Sequence, residues 1–215
     1  MWSSGWRWHS APAAAEAQHR RKPRLAPYHC TRLGKPCAPA NTTRSSSSPP
    51  LSFEVGKGWS NTTNQLSEYI ELGQQGETGF LTFANVKEVH KPGTMNVVEA
   101  PKDLVGWLEH HPYLKTSKPQ PVTLGGVKGE QLEVLVKDLP QDYYALCGPD
   151  CVDIAPVSNG QEAAIFREVN ERKVFVLEDV KGDTVMIWFA GPPDTFDKFA
   201  SKAQKVVDSV KWEGS

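Results

Sequence analysis

The C-terminal stretch, residues 173–212, constrains the fold more than any other part of the sequence. Residues 173–180 and 184–189 are both rich in β-branched and aromatic side chains, as strands usually are. Gly182 lies between them, where a short hairpin needs a residue that tolerates positive φ. Apolar side chains occupy both alternating faces of the second segment. We therefore predict an antiparallel hairpin near the centre of a sheet.

An amphipathic helix is predicted directly after this hairpin. Pro192 and Pro193 end the second strand, because proline has no N–H to donate to a ladder. Residues 195–209 then place apolar side chains at helical spacing, and Asp194 or Thr195 could cap the first turn. A helix of this length is marginal alone, so we expect it to dock on the sheet. Its predicted apolar side consists of Phe196, Phe199, Ala200, Ala203, Val206, Val207 and Val210.

The upstream sequence adds strands joined mostly by turns, and one short helix. That helix is predicted to start at Pro101 and to end before Pro112. Residues 139–160 are predicted to form a long loop, and residues 164–169 to pair with the strand that follows them. The order favours an α+β domain with a single antiparallel sheet of about seven strands covered by two helices. The other predicted strands are 51–55, 68–72, 79–86, 121–124 and 127–136.

Charge divides the chain into two parts. Residues 1–50 hold eight Lys or Arg and one acidic residue, a net charge of +7, whereas residues 51–215 hold 16 basic and 24 acidic residues, a net charge of −8. The first part is also rich in Ser and Pro and lacks apolar periodicity, so we predict a disordered basic tail or leader. Residues 51–215 are predicted to form one globular domain.

The tail has no apolar core of the kind that signal peptides carry, and no segment of the sequence reaches transmembrane length. Trp2, Trp6 and Trp8 lie among its basic residues and could stack on nucleic acid or bind anionic lipid. A net charge of +7 over about 50 residues is modest for that role, so the composition disfavours nucleic acid as a partner.

Four cysteines occur in the chain, and two of them, Cys147 and Cys151, are close in sequence. Three residues separate this pair, whereas thioredoxin-like chemistry needs two. Gly148 and Pro149 favour a turn that would bring the sulfurs within bonding range. We predict a structural disulfide between Cys147 and Cys151, with free thiols and a metal or redox site as alternatives. A disulfide would indicate an oxidising compartment.

No motif in the sequence identifies a catalytic, cofactor or metal site. His110 and His111 are adjacent on a predicted helix and point about 100° apart, so they cannot both bind one metal from one face. The glycine-rich segment 125–129 lacks the spacing of a phosphate-binding loop and is predicted to be a hairpin turn. We therefore expect no catalytic, cofactor-binding or metal-binding residues.

Aromatic residues supply the remaining candidate site. Several fall near predicted loops or strand edges, where they could form a binding patch for a protein or a small apolar ligand. They could equally complete the core. The candidate patch consists of Trp107, Tyr113, Tyr143, Tyr144 and Trp188.

The outline of the domain is similar to a known fold. A short strand and a G-x-G-W turn, residues 53–59, open the domain, and a final amphipathic helix that leads into Trp212 closes it. This outline resembles the PsbP-like fold, which occurs in photosystem II extrinsic subunits, a Ran-binding nuclear factor and many bacterial surface lipoproteins. It looks most like actinobacterial extracytoplasmic domains of that type. The resemblance covers residues 51–212, implies an antiparallel α+β domain and brings no catalytic residues.

These observations together predict an extracytoplasmic or secreted binding or accessory domain without catalytic activity. The expected ligand is an unknown protein or a small apolar molecule. The alternative is a small hydrolase-type enzyme whose carboxylates or histidines converge only in the folded protein.

Overall fold

The computed structural model describes residues 41–44, 49–62, 68–137, 139–141, 143, 145, 148–157, 161–167 and 170–213. Of the predicted disordered tail, residues 1–50, residues 1–40 and 45–48 lie outside the described residues. Within them the chain is α+β, with antiparallel sheets and two helices, as the sequence predicted. No described helix is both long and apolar enough to cross a membrane.

The main sheet has eight strands. Its order is β3-β4-β5-β14-β13-β10-β8, with β9 also paired to β10, and every neighbour runs antiparallel. Its strands are β3 (Trp59–Asn61), β4 (Tyr69–Gln74), β5 (Phe80–Asn85), β8 (Leu114–Thr116), β9 (Gln120–Leu124), β10 (Val127–Val136), β13 (Glu171–Val180) and β14 (Asp183–Gly191).

Smaller sheets and two helices cover the main sheet. A three-stranded sheet joins β1 (Asn41–Arg44), β2 (Leu51–Val55) and β15 (Lys211–Trp212). Two hairpins are formed by β6 (Glu88–His90) with β7 (Val97–Glu99), and by β11 (Cys151–Val157) with β12 (Gln161–Arg167). The helices are α1 (Leu104–Glu109) and α2 (Pro193–Asp208).

The hairpin of β13 and β14 lies in the middle of the main sheet, as predicted. Only Lys181 and Gly182 connect the two strands, and both have positive φ, 60° and 88°. The side chain of Asp179 accepts a hydrogen bond of 3.1 Å from the Gly182 N–H. Positive φ at both turn positions suits the twist of a two-residue hairpin.

Two hydrophobic cores lie on the two faces of this hairpin. Ile187 and Phe189 of β14 face the first core, which α2, β2 and β15 close with Phe53, Phe199 and Trp212. Met186 and Trp188 face the second core. That core is closed by α1 and by the β6–β7 and β11–β12 hairpins, through Val89, Leu104, Leu108, Val152, Ile154 and Phe166.

Helix α2 docks as predicted, but it begins differently. It starts at Pro193, and Pro192 at the N-cap makes no side-chain capping bond, so neither Asp194 nor Thr195 is the cap. Proline suits the first helical turn because that N–H would lack an intrahelical partner anyway. Phe199, Ala203, Val206 and Val207 are buried against the sheet.

Helix α1 is shorter than predicted. It begins at Leu104 rather than Pro101, because the Asp103 side chain accepts a 2.6 Å hydrogen bond from the Gly106 N–H and so acts as the N-cap. Leu104, Val105 and Leu108 are its buried residues.

Two predictions about the strands were wrong. The segment predicted as a loop over residues 139–160 contains β11, which pairs with β12; β12 therefore does not pair with the strand after it. The sequence did not predict β11 because the segment contains Pro156, and proline normally argues against a strand. The ladder accommodates it with register shifts between Asp153 and Pro156.

A short strand precedes the predicted domain boundary between residues 50 and 51, and that boundary stays a prediction. Asn41–Arg44 forms β1, which pairs with β2 in the register Asn41↔Val55 to Arg44↔Ser52. These four residues were assigned to the tail because no apolar alternation marks them. Backbone pairing to β2 needs no such pattern.

Close contact between β10 and β13 makes Gly129 a sensitive position. A Cβ there would overlap the carbonyl oxygen of Val176 and the Leu177 side chain. We expect Gly129→Ala to lower the free energy of unfolding by about 1–3 kcal/mol, because the clash includes backbone atoms that cannot rotate away. Gly56→Ala is the matched control, since a Cβ at Gly56 meets no atom within 4 Å. Urea unfolding of both variants measures the difference, and equal midpoints would contradict the packing.

Candidate functional site

Four rings from the predicted patch region form a continuous row of contacts. Trp107 meets His111 at 4.9 Å between ring centroids, His111 meets Tyr113 at 6.0 Å, and Tyr113 meets Tyr143 at 4.7 Å. All three contacts are edge-on, with interplanar angles of 65–70°. We call this set of four residues the aromatic row.

The aromatic row is held by the end of α1 and the start of β8. Trp107 lies in α1, and the chain then turns through His111 and Pro112 into β8. Lys137, just after β10, fixes this turn twice: its N–H donates to the Tyr113 carbonyl at 2.9 Å, and its ammonium donates to the Pro112 carbonyl at 3.1 Å. Tyr113 is therefore attached to the main sheet, whereas Tyr143 lies between β10 and β11.

His111 is the buried member of the row. It is 2% exposed, and its Nδ1 accepts a 3.3 Å hydrogen bond from the Tyr113 N–H. Burial, with a smaller contribution from Lys137, lowers the pKa of His111 to about 4. The imidazole is therefore neutral at physiological pH. Because Nδ1 accepts, Nε2 carries the proton, and in the described structure it meets no acceptor.

Tyr143 is neutral as well. It follows a turn in which its N–H donates to the Pro140 carbonyl at 2.9 Å. Burial, followed by the charges of Asp153 and then Tyr113, raises the pKa of Tyr143 to about 12. The phenol therefore keeps its proton at neutral pH and remains a hydrogen-bond donor.

Two exposed apolar residues that sequence reasoning missed lie in and just after a turn that is close to the aromatic row. The turn between β6 and β7 lies against Tyr113, since a Cβ at Gly93 would come within 3.0 Å of its hydroxyl. In the same turn and the strand after it, Met95 is 54% exposed and Val97 is 39% exposed. Both residues lie between the predicted strand 79–86 and the helix predicted to start at Pro101, where no element was predicted. We call these two residues, together with Trp107, Tyr113 and Tyr143, the aromatic face.

Not every residue of the predicted patch reaches this face. Trp188 lies in the core at 1% exposure, where it contacts Tyr69 and Phe166, so the prediction is corrected there. Tyr144 lies outside the described residues. Trp107, Tyr113 and Tyr143 come together at the aromatic face. The sequence placed Trp188 near a predicted strand edge, whereas in the structure Phe166 of the β11–β12 hairpin packs against it.

Only one cysteine of the predicted disulfide, Cys151, lies within the described residues. Cys151 is fully buried at the start of β11, and its Sγ lies 3.2 Å from the carbonyl oxygen of Gly148. The chain therefore bends back sharply just before Cys151. Cys147 lies outside the described residues, so the pairing of Cys147 with Cys151 stays a prediction.

His110 and His111 lie in different environments. His110 is exposed at the C-cap of α1, where its Nδ1 lies 2.7 Å from the Gly106 carbonyl, whereas His111 is buried. Across the described ranges no three His, Cys, Asp or Glu residues are grouped so that they could hold a metal ion.

Arg172 is a buried charged residue that sequence reasoning did not single out. It is 2% exposed, its guanidinium lies 4.6 Å from the centroid of the Phe166 ring, and it donates to the carbonyls of Val134 and Arg167. Burial lowers the pKa of Arg172 to about 9, so it stays charged at neutral pH. These contacts join β12 to the main sheet, which is a structural role.

Comparison with known proteins found a similarity in structure but none to a protein family or a curated protein. No protein-family model and no curated protein matches the chain. The chain is similar to the solution structure of cyanobacterial PsbP (CyanoP) from Synechocystis sp. PCC 6803, with a TM-score of 0.45 and 11% sequence identity over 84% of this chain and 98% of that chain.

The buried His111 predicts a specific pH dependence. Its pKa is about 4 in the folded chain and about 6.5 when unfolded, so the unfolded state binds more protons between these values. Stability is therefore full above about pH 6.5 and falls as the pH drops toward about 4, by about 3 kcal/mol.

The variant His111→Gln should remove this part of the pH dependence, even if it lowers stability at every pH. Chemical unfolding at several pH values measures the slope. His110→Gln, one residue away and exposed, should retain the slope that His111 contributes. Parallel slopes for the wild type and His111→Gln would show that the imidazole is not buried in its neutral form.

Proposed function

We propose that this chain is a non-catalytic binding or accessory domain that acts outside the cytoplasm and recognises a protein partner through its aromatic face. The observation that carries the proposal is the connected row of ring contacts from Trp107 to Tyr143. The exposed Met95 and Val97 lie in and just after the turn close to Tyr113. Exposed apolar residues that cluster in this way typically mark interaction sites.

The composition of the face favours a protein over a small apolar molecule. Trp, Tyr and Met are enriched at the centres of protein interfaces, and Trp and Tyr provide most of the binding energy there. The rings of Trp107, Tyr113 and Tyr143 already contact their neighbours, so little side-chain entropy would be lost on binding. Each half-buried ring still offers the partner a surface of fixed geometry.

The pKa values of the groups at the aromatic face disfavour the enzyme alternative. General acid–base catalysis works best with groups whose pKa lies near the working pH. Burial lowers the pKa of His111 to about 4 and raises the pKa of Tyr143 to about 12, so neither group exchanges protons readily at neutral pH. The face therefore fits recognition better than hydrolysis.

An extracytoplasmic location is tested through the cysteines. We expect the intact mass of the natively produced protein to show Cys147 and Cys151 unreactive toward alkylation until the protein is reduced, because a disulfide persists only in an oxidising compartment. A mature chain that starts near residues 40–50 would also fit removal of the basic tail on export. Four alkylatable thiols without reduction would contradict both the disulfide and the location.

The partner-binding face is tested by photo-cross-linking in the producing cells. A photoreactive amino acid at Met95 should give one dominant adduct with a protein that is identified by mass spectrometry. Leu135 is the matched control: it is an apolar residue of similar exposure, 41%, but it lies in β10, outside the aromatic face. The same probe at Leu135 should not give that adduct.

The affinity of the purified partner then shows whether the aromatic face binds it or only lies near it in the cell. Tyr143→Ala removes a ring from the face without touching the main sheet, and we expect it to weaken binding about tenfold or more. Equal adducts at Met95 and Leu135, or unchanged affinity in Tyr143→Ala, would overturn the proposal.

A further inference from the structure

A groove with three lysines in its lining lies on the first-core side of the domain, around α2. It encloses about 310 Å³ between the turn that joins β2 to β3, the end of β4 and the last two turns of α2. This volume is at the lower end of the range for small-molecule sites. Its polar lining consists of Glu54, Lys57, Gln74, Lys202 and Lys205, and Trp59 adds an apolar wall.

Positive charge in this groove runs against the charge of the domain around it. The groove lining contains three lysines and one glutamate, whereas residues 51–215 carry a net charge of −8. Lys202 is paired with Glu77 at 2.7 Å, and Lys198 shares the same carboxylate at 2.9 Å. Within the described ranges, neither Lys57 nor Lys205 forms an ion pair. Two ammonium groups therefore remain available to an anion.

The turn that carries Lys57 is fixed in place. Gln74 donates from its side chain to the Lys57 carbonyl at 3.1 Å, and the Gln75 N–H donates to the Gly58 carbonyl at 2.8 Å. Gly58 has φ of 88°, and a Cβ there would collide with the Gln74 side chain. Trp59, 6% exposed, then anchors the turn against Phe199, with 5.8 Å between ring centroids. Only the lysine side chains need to become ordered when a ligand binds.

We propose that this groove binds the phosphate ester of a small polyol. Lys57 from the turn and Lys205 from α2 would approach the phosphate from two elements, with charge-assisted hydrogen bonds. The Glu54 carboxylate only accepts hydrogen bonds, so it suits the hydroxyl groups of a polyol and repels a bare anion. The basic tail is excluded as the occupant, because its net charge of +7 opposes that of the lysines.

Glycerol 3-phosphate is the probe, titrated into the full chain by calorimetry at low salt. We expect it to bind several-fold more tightly than inorganic phosphate, because only the ester offers hydroxyls to Glu54. Lys57→Gln and Lys205→Gln should each weaken its binding about tenfold. Lys115→Gln, on β8 away from the groove, should leave it unchanged. Glu54→Gln should tighten the binding of inorganic phosphate and reduce the preference for the ester.

A second experiment distinguishes a soluble phosphate ester from a lipid headgroup as the ligand. Vesicles containing phosphatidic acid present the same group on a lipid, and sedimentation that depends on Lys57 and Lys205 would assign the site to a headgroup. Binding of glycerol 3-phosphate alone would assign it to a soluble ligand. Failure of both probes would overturn the proposal, as would equal effects of the Lys57, Lys205 and Lys115 substitutions.

Amide chemical-shift mapping on the wild-type protein keeps the test independent of the variants. Shifts induced by the bound probe should centre on residues 56–59 and on Gln74. Shifts centred on other residues would overturn the assignment of the site even if the probe binds.

Discussion

Burial of both faces of the β13–β14 hairpin is the constraint on which the rest of the structure depends. Apolar side chains alternate onto two cores from the same two strands, so each face needs its own cover. Helix α2 and the β2–β15 pair cover one face, and α1 with the β6–β7 and β11–β12 hairpins covers the other. Neither layer would be stable without the sheet between them.

The two covering layers have different functional consequences. On the second-core side, short loops and a helix of six residues must close over large rings, which leaves Trp107, Tyr113 and Tyr143 partly exposed. On the first-core side one long helix closes the core, and the lysine-lined groove forms between that helix and the turn before Trp59. The proposed protein-binding face and the proposed phosphate site therefore rest on separate layers, and changes at one should leave the other intact.

Local sequence patterns predicted the elements that carry strong periodicity. The β13–β14 hairpin, α2 and the turn at Gly182 followed from alternation, helical spacing and turn chemistry. The β11–β12 hairpin was not predicted, because Pro156 and the nearby glycines are residues typical of loops. Its strand pairing is stabilised by long-range packing of Val152 and Ile154, which no local pattern shows. β1 was missed for a related reason, since its only visible feature is a backbone partner in β2.

The sequence by itself determined the α+β class, the central hairpin and the candidate aromatics Trp107, Tyr113 and Tyr143. These depend on side-chain periodicity and residue type, which are local properties. Only the tertiary structure decided that Trp188 is core and that His111 joins the ring contacts. It also decided that the turn at Gly93 lies close to Tyr113, and that Lys57 and Lys205 line one groove. Burial and convergence are set by which strands pair across long stretches of chain, and no local pattern records that pairing.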